Sequence, residues 1–241
     1  MLTPLITEEN LDRFAYTNRK LLNGQPVGIV TEFFGLNTTK MFDEDTPVGK
    51  LFAEKNILYV LPYTNPWAWM NPQAVAYTDE VIRVLAARYN LQNRPIAVTG
   101  GSMGGMSAIV YSRYAARTPV ACVANCPVCD LPYHLTERPD LPRTLYSAFW
   151  HEDGQLEDVL KRFSPFHLVN ELPKIPYTVY HCEADRSVNI QRHSERFVSA
   201  MVKAGHTVRL VRVPDRNHCD LPPEVADMYR NDAIAAILNR Q

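Results

Sequence analysis

A chain of 241 residues, 46% hydrophobic and 21% charged, is long enough to close one sizeable core and too apolar to remain unfolded. Its formal net charge of −1 gives no field for nucleic acid or an anionic membrane, and no apolar run approaches the roughly 18 residues of a membrane-spanning helix. The opening MLTPLITEENLDRF lacks the basic end and apolar core of a secretory leader. With an odd set of five cysteines (Cys122, Cys126, Cys129, Cys182 and Cys219), it sets an expectation of free thiols in a reducing, cytoplasmic compartment.

In chain order, Phe14–Thr17 followed by Asn23-Gly24-Gln25-Pro26 reads as a lead-in strand and turn. Six short apolar or β-branched runs bounded by Gly, Pro or Asn then read as strands: Val27–Glu32, Ile57–Leu61, Ile96–Thr99, Val120–Ala124, Tyr177–Cys182 and Thr207–Val213. Amphipathic segments separate them. Thr46–Lys55 has Pro47 at the first helical position, where its missing N–H costs nothing. Pro72–Tyr89 carries Val75, Val81, Ile82, Leu85 and Ala86 at helical spacing. Met103–Arg117, Asn189–Ala204 (stopped by Gly205) and Pro223–Arg240 complete the set. This alternation predicts an α/β fold: a mostly parallel, doubly wound sheet with helices on both faces, in one domain spanning 1–241.

One interval breaks the rhythm. Cys126 to Pro176 is too long for a single crossover helix and is interrupted by Pro127, Pro132, Pro139, Pro142, Pro165 and Pro173. Long insertions in compact domains are commonly lids or binding loops. Residues 127–163 are therefore expected to form a small cap of short helices over the sheet edge.

The stretch Thr99-Gly100-Gly101-Ser102-Met103-Gly104-Gly105-Met106 joins a strand to a helix. A dinucleotide fingerprint, G-x-G-x-x-G, fails in both frames, because Ser102 or Met103 falls where the second glycine belongs. A phosphate-binding loop fails because Met106 stands in place of its lysine. The pattern G-x-S-x-G fits from Gly100 to Gly104, in the strand–turn–helix context that exposes a nucleophilic serine. An inert serine at a tight junction is the alternative.

A serine needs a base, and the base needs a group that fixes its tautomer. Both are sought after later strands at the same sheet edge, in the order Ser, acid, His. Asp185 follows the strand ending at Cys182, with Glu183 as second choice. His218 follows the strand ending at Val213. The N–H of Met103 at the helix start is the first expected oxyanion donor, and the N–H of Leu36, after the first parallel strand, the second.

These residues resemble the α/β-hydrolase superfamily, with the closest likeness to compact members related to the prolyl oligopeptidase catalytic domain, many of them esterases. In that family the serine is the nucleophile, the acid orients and the histidine is the base, matching Ser102, Asp185 and His218. The chain departs from the pattern at Phe34-Gly35 (usually His-Gly), at His181-Cys182 and at Asp215-Arg216-Asn217, none of which removes a catalytic side chain. It is too short to carry the propeller of large oligopeptidases.

The expected activity is hydrolysis of a small carboxylic ester through an acyl-enzyme. A small serine peptidase or amidase is the alternative, and a non-catalytic scaffold the third reading. The substrate is a small ester or a short peptide, with no nucleic acid, membrane, metal or cofactor called for. Trp67 and Trp69, in a loop at the functional edge, and Phe149 and Trp150, in the cap, are expected to line the substrate pocket. Cys126-Pro127-Val128-Cys129 lacks the second pair that a structural zinc site needs, so its thiols are expected to be buried packing groups.

Overall fold

The computed structural model describes residues 5–239 and contains, among them, a seven-stranded sheet in the order β1-β3-β2-β4-β5-β6-β7. The strands are β1 (Ala15–Thr17), β2 (Ile29–Phe33), β3 (Leu58–Pro62), β4 (Ile96–Gly101), β5 (Ala121–Asn125), β6 (Tyr177–Cys182) and β7 (Val208–Val213). Only the lead-in strand β1 runs antiparallel, paired with β3; the other pairs are parallel. Each predicted strand is present, Tyr177–Cys182 with both ends as expected and the others with ends displaced by at most two residues.

Strand side chains alternate between two cores, as a pleat of period two requires. Ile29, Leu58, Val60, Ile96 and Val98 face one core, packed against α2 (Pro72–Tyr89) and α3 (Met103–Tyr114). Val30, Tyr59, Leu61 and Ala97 face the other, closed by α1 (Pro47–Glu54) and α8 (Pro223–Leu238). Burial on both faces is why these strands read as apolar runs.

The helix starts follow the sequence signals. Thr46 Oγ1 accepts from Gly49 N at 2.9 Å and Asn71 Oδ1 from Ala74 N at 2.9 Å, each cap followed by a proline. Two helices differ from expectation. α3 ends at Tyr114 rather than Arg117, because Ala115 turns to extended backbone and Ala116 N donates to the Asp79 carboxylate at 3.2 Å. The segment before α7 (Arg196–Lys203) is a π-helical turn, Gln191–Glu195. Arg240, where the sequence places the last helix end, lies outside the described residues.

Between β5 and β6 lie three short helices: α4 (Leu131–His134), α5 (Leu141–Phe149) and α6 (Leu156–Arg162). Trp69 Nε1 donates to Thr144 Oγ1 at 3.1 Å, and Asn71 Nδ2 to the Ala148 carbonyl at 2.7 Å, tying α5 to the loop before α2. The chain runs from β2 to β3 on one side and returns to β4 on the other. That reversal opens a crevice at the carboxyl ends of β2 and β4, where ligands of such sheets bind. No described helix is long and apolar enough to cross a membrane.

Candidate active site

Ser102 stands in this crevice, at the turn between β4 and α3. Its backbone has φ 59° and ψ −125°, a region costly for any residue with a side chain. The turn holds because its neighbours fix it. Ser102 N donates to the Asn125 carbonyl at 2.9 Å, and the Ser102 carbonyl accepts from Met106 N at 3.1 Å. Helix and strand cross through bare backbone: a Cβ on Gly100 would overlap the Gly104 peptide, and one on Gly104 would overlap the Phe33 carbonyl.

His218 Nε2 lies 2.8 Å from Ser102 Oγ, and His218 Nδ1 lies 2.6 Å from Asp185 Oδ2. The loops carrying the two residues are sewn together. Ala184 N donates to the Arg216 carbonyl at 3.0 Å and Arg186 N to Asn217 Oδ1 at 3.1 Å. The Asp185 side chain is fully buried, and its Oδ1 accepts from the N–H groups of Ser187 and Val188 at 2.8 and 2.9 Å. Behind it, buried His181 spans Ser194 Oγ at 2.6 Å and the Val188 carbonyl at 2.9 Å.

Burial works against the Asp185 charge, but hydrogen bonds from His181, His218 and the Val188 N–H hold its carboxyl well below the usual range. Burial alone would lower the His218 pKa; the Asp185 carboxylate outweighs it and raises it above the ordinary imidazole range. Asp185 therefore stays ionised and holds a proton on Nδ1, and when Nε2 loses its own proton the lone pair it exposes faces Ser102. Glu183 points elsewhere, with Oε1 3.5 Å from Arg212 Nη1.

The cavity at this site has a volume of about 590 Å³ and is lined by Ser102, His218, Phe33, Phe34, Leu36, Phe42 and Cys219, with Glu32 and Arg138 at its polar margins. The loop after β2 passes close to the serine: a Cβ on Gly35 would lie 3.9 Å from Ser102 Cβ. Among the described residues, neither the Met103 nor the Leu36 N–H has an acceptor.

The four aromatic residues expected in the pocket do not line it. Trp69 is fully buried, spent on Thr144 and the edge of His134. Phe149 is buried against Phe163, ring centroids 5.0 Å apart, where α5 and α6 join the core shared with α2 and α3. Trp150 is 62% exposed and packs on His151. Trp67 donates from Nε1 to the Asn37 side chain, lies under Arg143 and borders a separate cavity. The pocket takes its aromatic wall from Phe34 and Phe42 instead, whose rings stack 6.2 Å apart. The place of Phe34 between Phe33 and Gly35, just past β2, is the sequence signal that would have found it; Phe42 has no such signal.

Among the described residues, three groups of side chains have metal-ligand character: His134 with Glu137 and His193, Cys126 with His181 and Asp185, and Cys126 with His218 and Cys219. In the first, His134, Glu137 and His193 place their ligand atoms within 4.8 Å of one another. The N–H groups of Cys129 and Asp130 both point at His193 Nδ1, at 3.1 and 3.2 Å, so its ring proton sits on Nε2 and is donated to Glu137 at 2.9 Å. His134 Nδ1 meets the same carboxylate oxygen. This set is a closed hydrogen-bond network with no lone pair left for a metal at His193. The third group, Cys126, His218 and Cys219, lies at the Ser102–His218 contact itself and borders the cavity.

Residues 74–238, well over half of the chain, match the profile of the prolyl oligopeptidase family. None of the curated protein sequences matches the chain. Among solved structures, it is similar to an S-formylglutathione hydrolase from Agrobacterium tumefaciens (15% identity, TM-score 0.68), over 90% of this chain and 85% of that one. It is similar to Thermogutta terrifontis esterase 2 (19% identity, TM-score 0.64), over 94% of this chain and 88% of that one. It also resembles Pyrococcus horikoshii acylaminoacyl peptidase (13% identity, TM-score 0.63), with 82% of this chain aligned to only 34% of that longer protein. At these identities the structural likeness establishes the α/β-hydrolase fold.

Proposed function

The chain belongs to the prolyl oligopeptidase family of serine hydrolases, and we propose that it cleaves carboxylic esters of small substrates, with Ser102 as nucleophile, His218 as general base and Asp185 as the orienting acid. The observation that carries this reading is the unbroken hydrogen-bond chain from Asp185 through His218 to Ser102, with its free end in the cavity.

The steps follow from the atoms. His218 Nε2 takes the Ser102 proton as Oγ attacks the ester carbonyl. The oxyanion that forms is held by the Met103 N–H, in the positive field of the α3 start, with the Leu36 N–H from the facing loop. Asp185 steadies the imidazolium. His218 then returns its proton to the departing alcohol. Water, deprotonated by the same nitrogen, hydrolyses the acyl-enzyme.

An ester is favoured by the cavity itself. Its walls are largely apolar, through Phe33, Phe34, Leu36 and Phe42, and suit an acyl or alcohol group better than a peptide backbone. The second reading, a small peptidase or amidase, is favoured by the family membership. A panel of nitrophenyl esters against aminoacyl nitroanilides separates the two. Turnover of the esters is expected; turnover of the anilides alone reverses the order. A fluorophosphonate probe is expected to label the wild type and not Ser102→Ala, and equal labelling removes Ser102 as nucleophile.

A further inference from the structure

The proposed hydrolysis leaves two thiols unused beside its base. Cys219 follows His218 directly and lines the same cavity, with its Sγ 3.8 Å from His218 Nε2. Cys126 lies just past β5, fully buried, and its Sγ accepts from the N–H groups of Cys182 and Cys219, both at 3.4 Å. Both residues hold left-handed backbone, φ 43° at Cys126 and φ 57° at Cys219. The two Sγ atoms and one His218 ring nitrogen all fall within 4.8 Å of one another.

We propose that Cys126, Cys219 and His218 form a binding site for one thiophilic divalent cation, zinc or cadmium, and that its occupation switches hydrolysis off. The switching rests on the hydrolase reading; the binding does not. In a tetrahedral zinc site with thiolate and imidazole ligands, donor atoms stand roughly 3.5–3.8 Å apart. The edge from Cys219 Sγ to His218 Nε2 already has that length, and the others close by about an ångström or less.

The imidazole is oriented as a metal needs. Its Nδ1–H donates to Asp185, as metal-bound histidines do to carboxylates, and Nε2 faces the sulfurs; any proton on Nε2 is displaced by the metal and passes to solvent. Two backbone N–H groups are already directed at Cys126 Sγ and would hydrogen-bond a metal-bound thiolate in place. Each metal–sulfur bond replaces an S–H bond, and the two protons pass to solvent. One divalent cation with two thiolates and a neutral imidazole carries no net charge, and nothing is oxidised or reduced. The fourth position opens toward Ser102 Oγ, 2.8 Å from Nε2. With its lone pair given to the metal, Nε2 has none for the serine proton. Cys129 takes no part: it is buried, and its backbone N–H is spent on His193.

The test titrates chelator-treated full-length protein with cadmium and follows the ultraviolet thiolate-to-cadmium charge-transfer band. One ion per chain is expected, with the band present in wild type and in Ser102→Ala. Because the band needs no turnover, it decides binding even if every ester is refused. Zinc is expected to abolish ester turnover in wild type, and EDTA to restore it. Cys219→Ser and Cys126→Ala should each raise the half-inhibiting zinc concentration at least about tenfold, measured against the variant's own metal-free rate. Absence of the band, or unchanged zinc sensitivity in either variant, overturns the proposal. Should Cys126→Ala fail to fold, the half-exposed Cys219 carries the comparison alone.

Discussion

Asp185 with His218, and Glu137 with His134 and His193, are assembled from the same groups: one carboxylate, buried or nearly so, facing imidazole nitrogens at hydrogen-bond distance. In the first, one imidazole takes the carboxylate on Nδ1 and turns its other nitrogen to a hydroxyl in an open cavity. In the second, both imidazoles spend an N–H on the carboxylate, and the remaining nitrogen of His193 is closed off by two backbone donors. The difference teaches that a histidine beside a buried acid is not by itself a catalytic signature. What the second nitrogen faces is what fits one pair for the proposed hydrolysis and leaves the other a clasp between α4 and the π-turn before α7.

The comparison can be broken by substitutions on either side. Ser102→Ala removes the group that the open lone pair faces and should lower kcat by a factor on the order of 10⁶, with folding intact by circular dichroism. Asp185→Asn leaves His218 in place with the wrong tautomer favoured and should lower kcat on the order of 10⁴. If Glu137→Gln gives losses of the same size, the two networks are not distinct in kind.

For Glu137→Gln the expected result is the opposite: kcat within about threefold of wild type, and a loss of roughly 1–3 kcal/mol in denaturant unfolding at neutral pH. The pH dependence sharpens this. Burial raises the Glu137 pKa, yet the hydrogen bonds from His134 and His193 prevail and hold it down to about 2, below the usual carboxylate value of about 4.3. A depressed folded-state pKa stabilises the protein fully above the unfolded value and loses that effect as pH falls toward about 2. Wild type and Glu137→Gln should therefore converge in stability between about pH 4 and pH 2. Smallest of all, Glu183→Gln, which exchanges only an exposed contact with Arg212, should leave turnover within about twofold and stability within about 0.5 kcal/mol.

How legible these features were in the sequence follows from how local their causes are. The strands could be read because Pro, Gly and Asn bound each apolar run, and burial on both faces makes those runs continuous. Ser102 could be read because the glycines around it are needed for one backbone crossing, and Asp185 and His218 because chain order and strand ends constrain them. The aromatic pocket could not. Whether Trp69 or Phe34 faces the cavity depends on which one finds a partner elsewhere, and Trp69 finds Thr144, 75 residues away. The approach of Cys126 to Cys219 is hidden for the same reason, since 93 residues separate them and only the packing of two loops joins them. The three short helices between β5 and β6 were foreshadowed by their prolines, but not the inward packing of Phe149 and Phe163.

The crossing of β4 and α3 through Gly100 and Gly104 has a consequence for how such a protein can change. Because peptide units rather than side chains set the height of Ser102 above the sheet, drift in neighbouring side chains has little purchase on its Oγ. The walls of the cavity come instead from the side chains of Phe34 and Phe42 and from the segment bearing Arg138; only the backbone of the Phe33–Phe34 loop touches the crossing, against Gly104. Side chains at Phe34, Phe42 and Arg138 can therefore change the shape of the cavity, while the backbone through Gly35 and Leu36, which the proposed oxyanion site uses, has to keep its course.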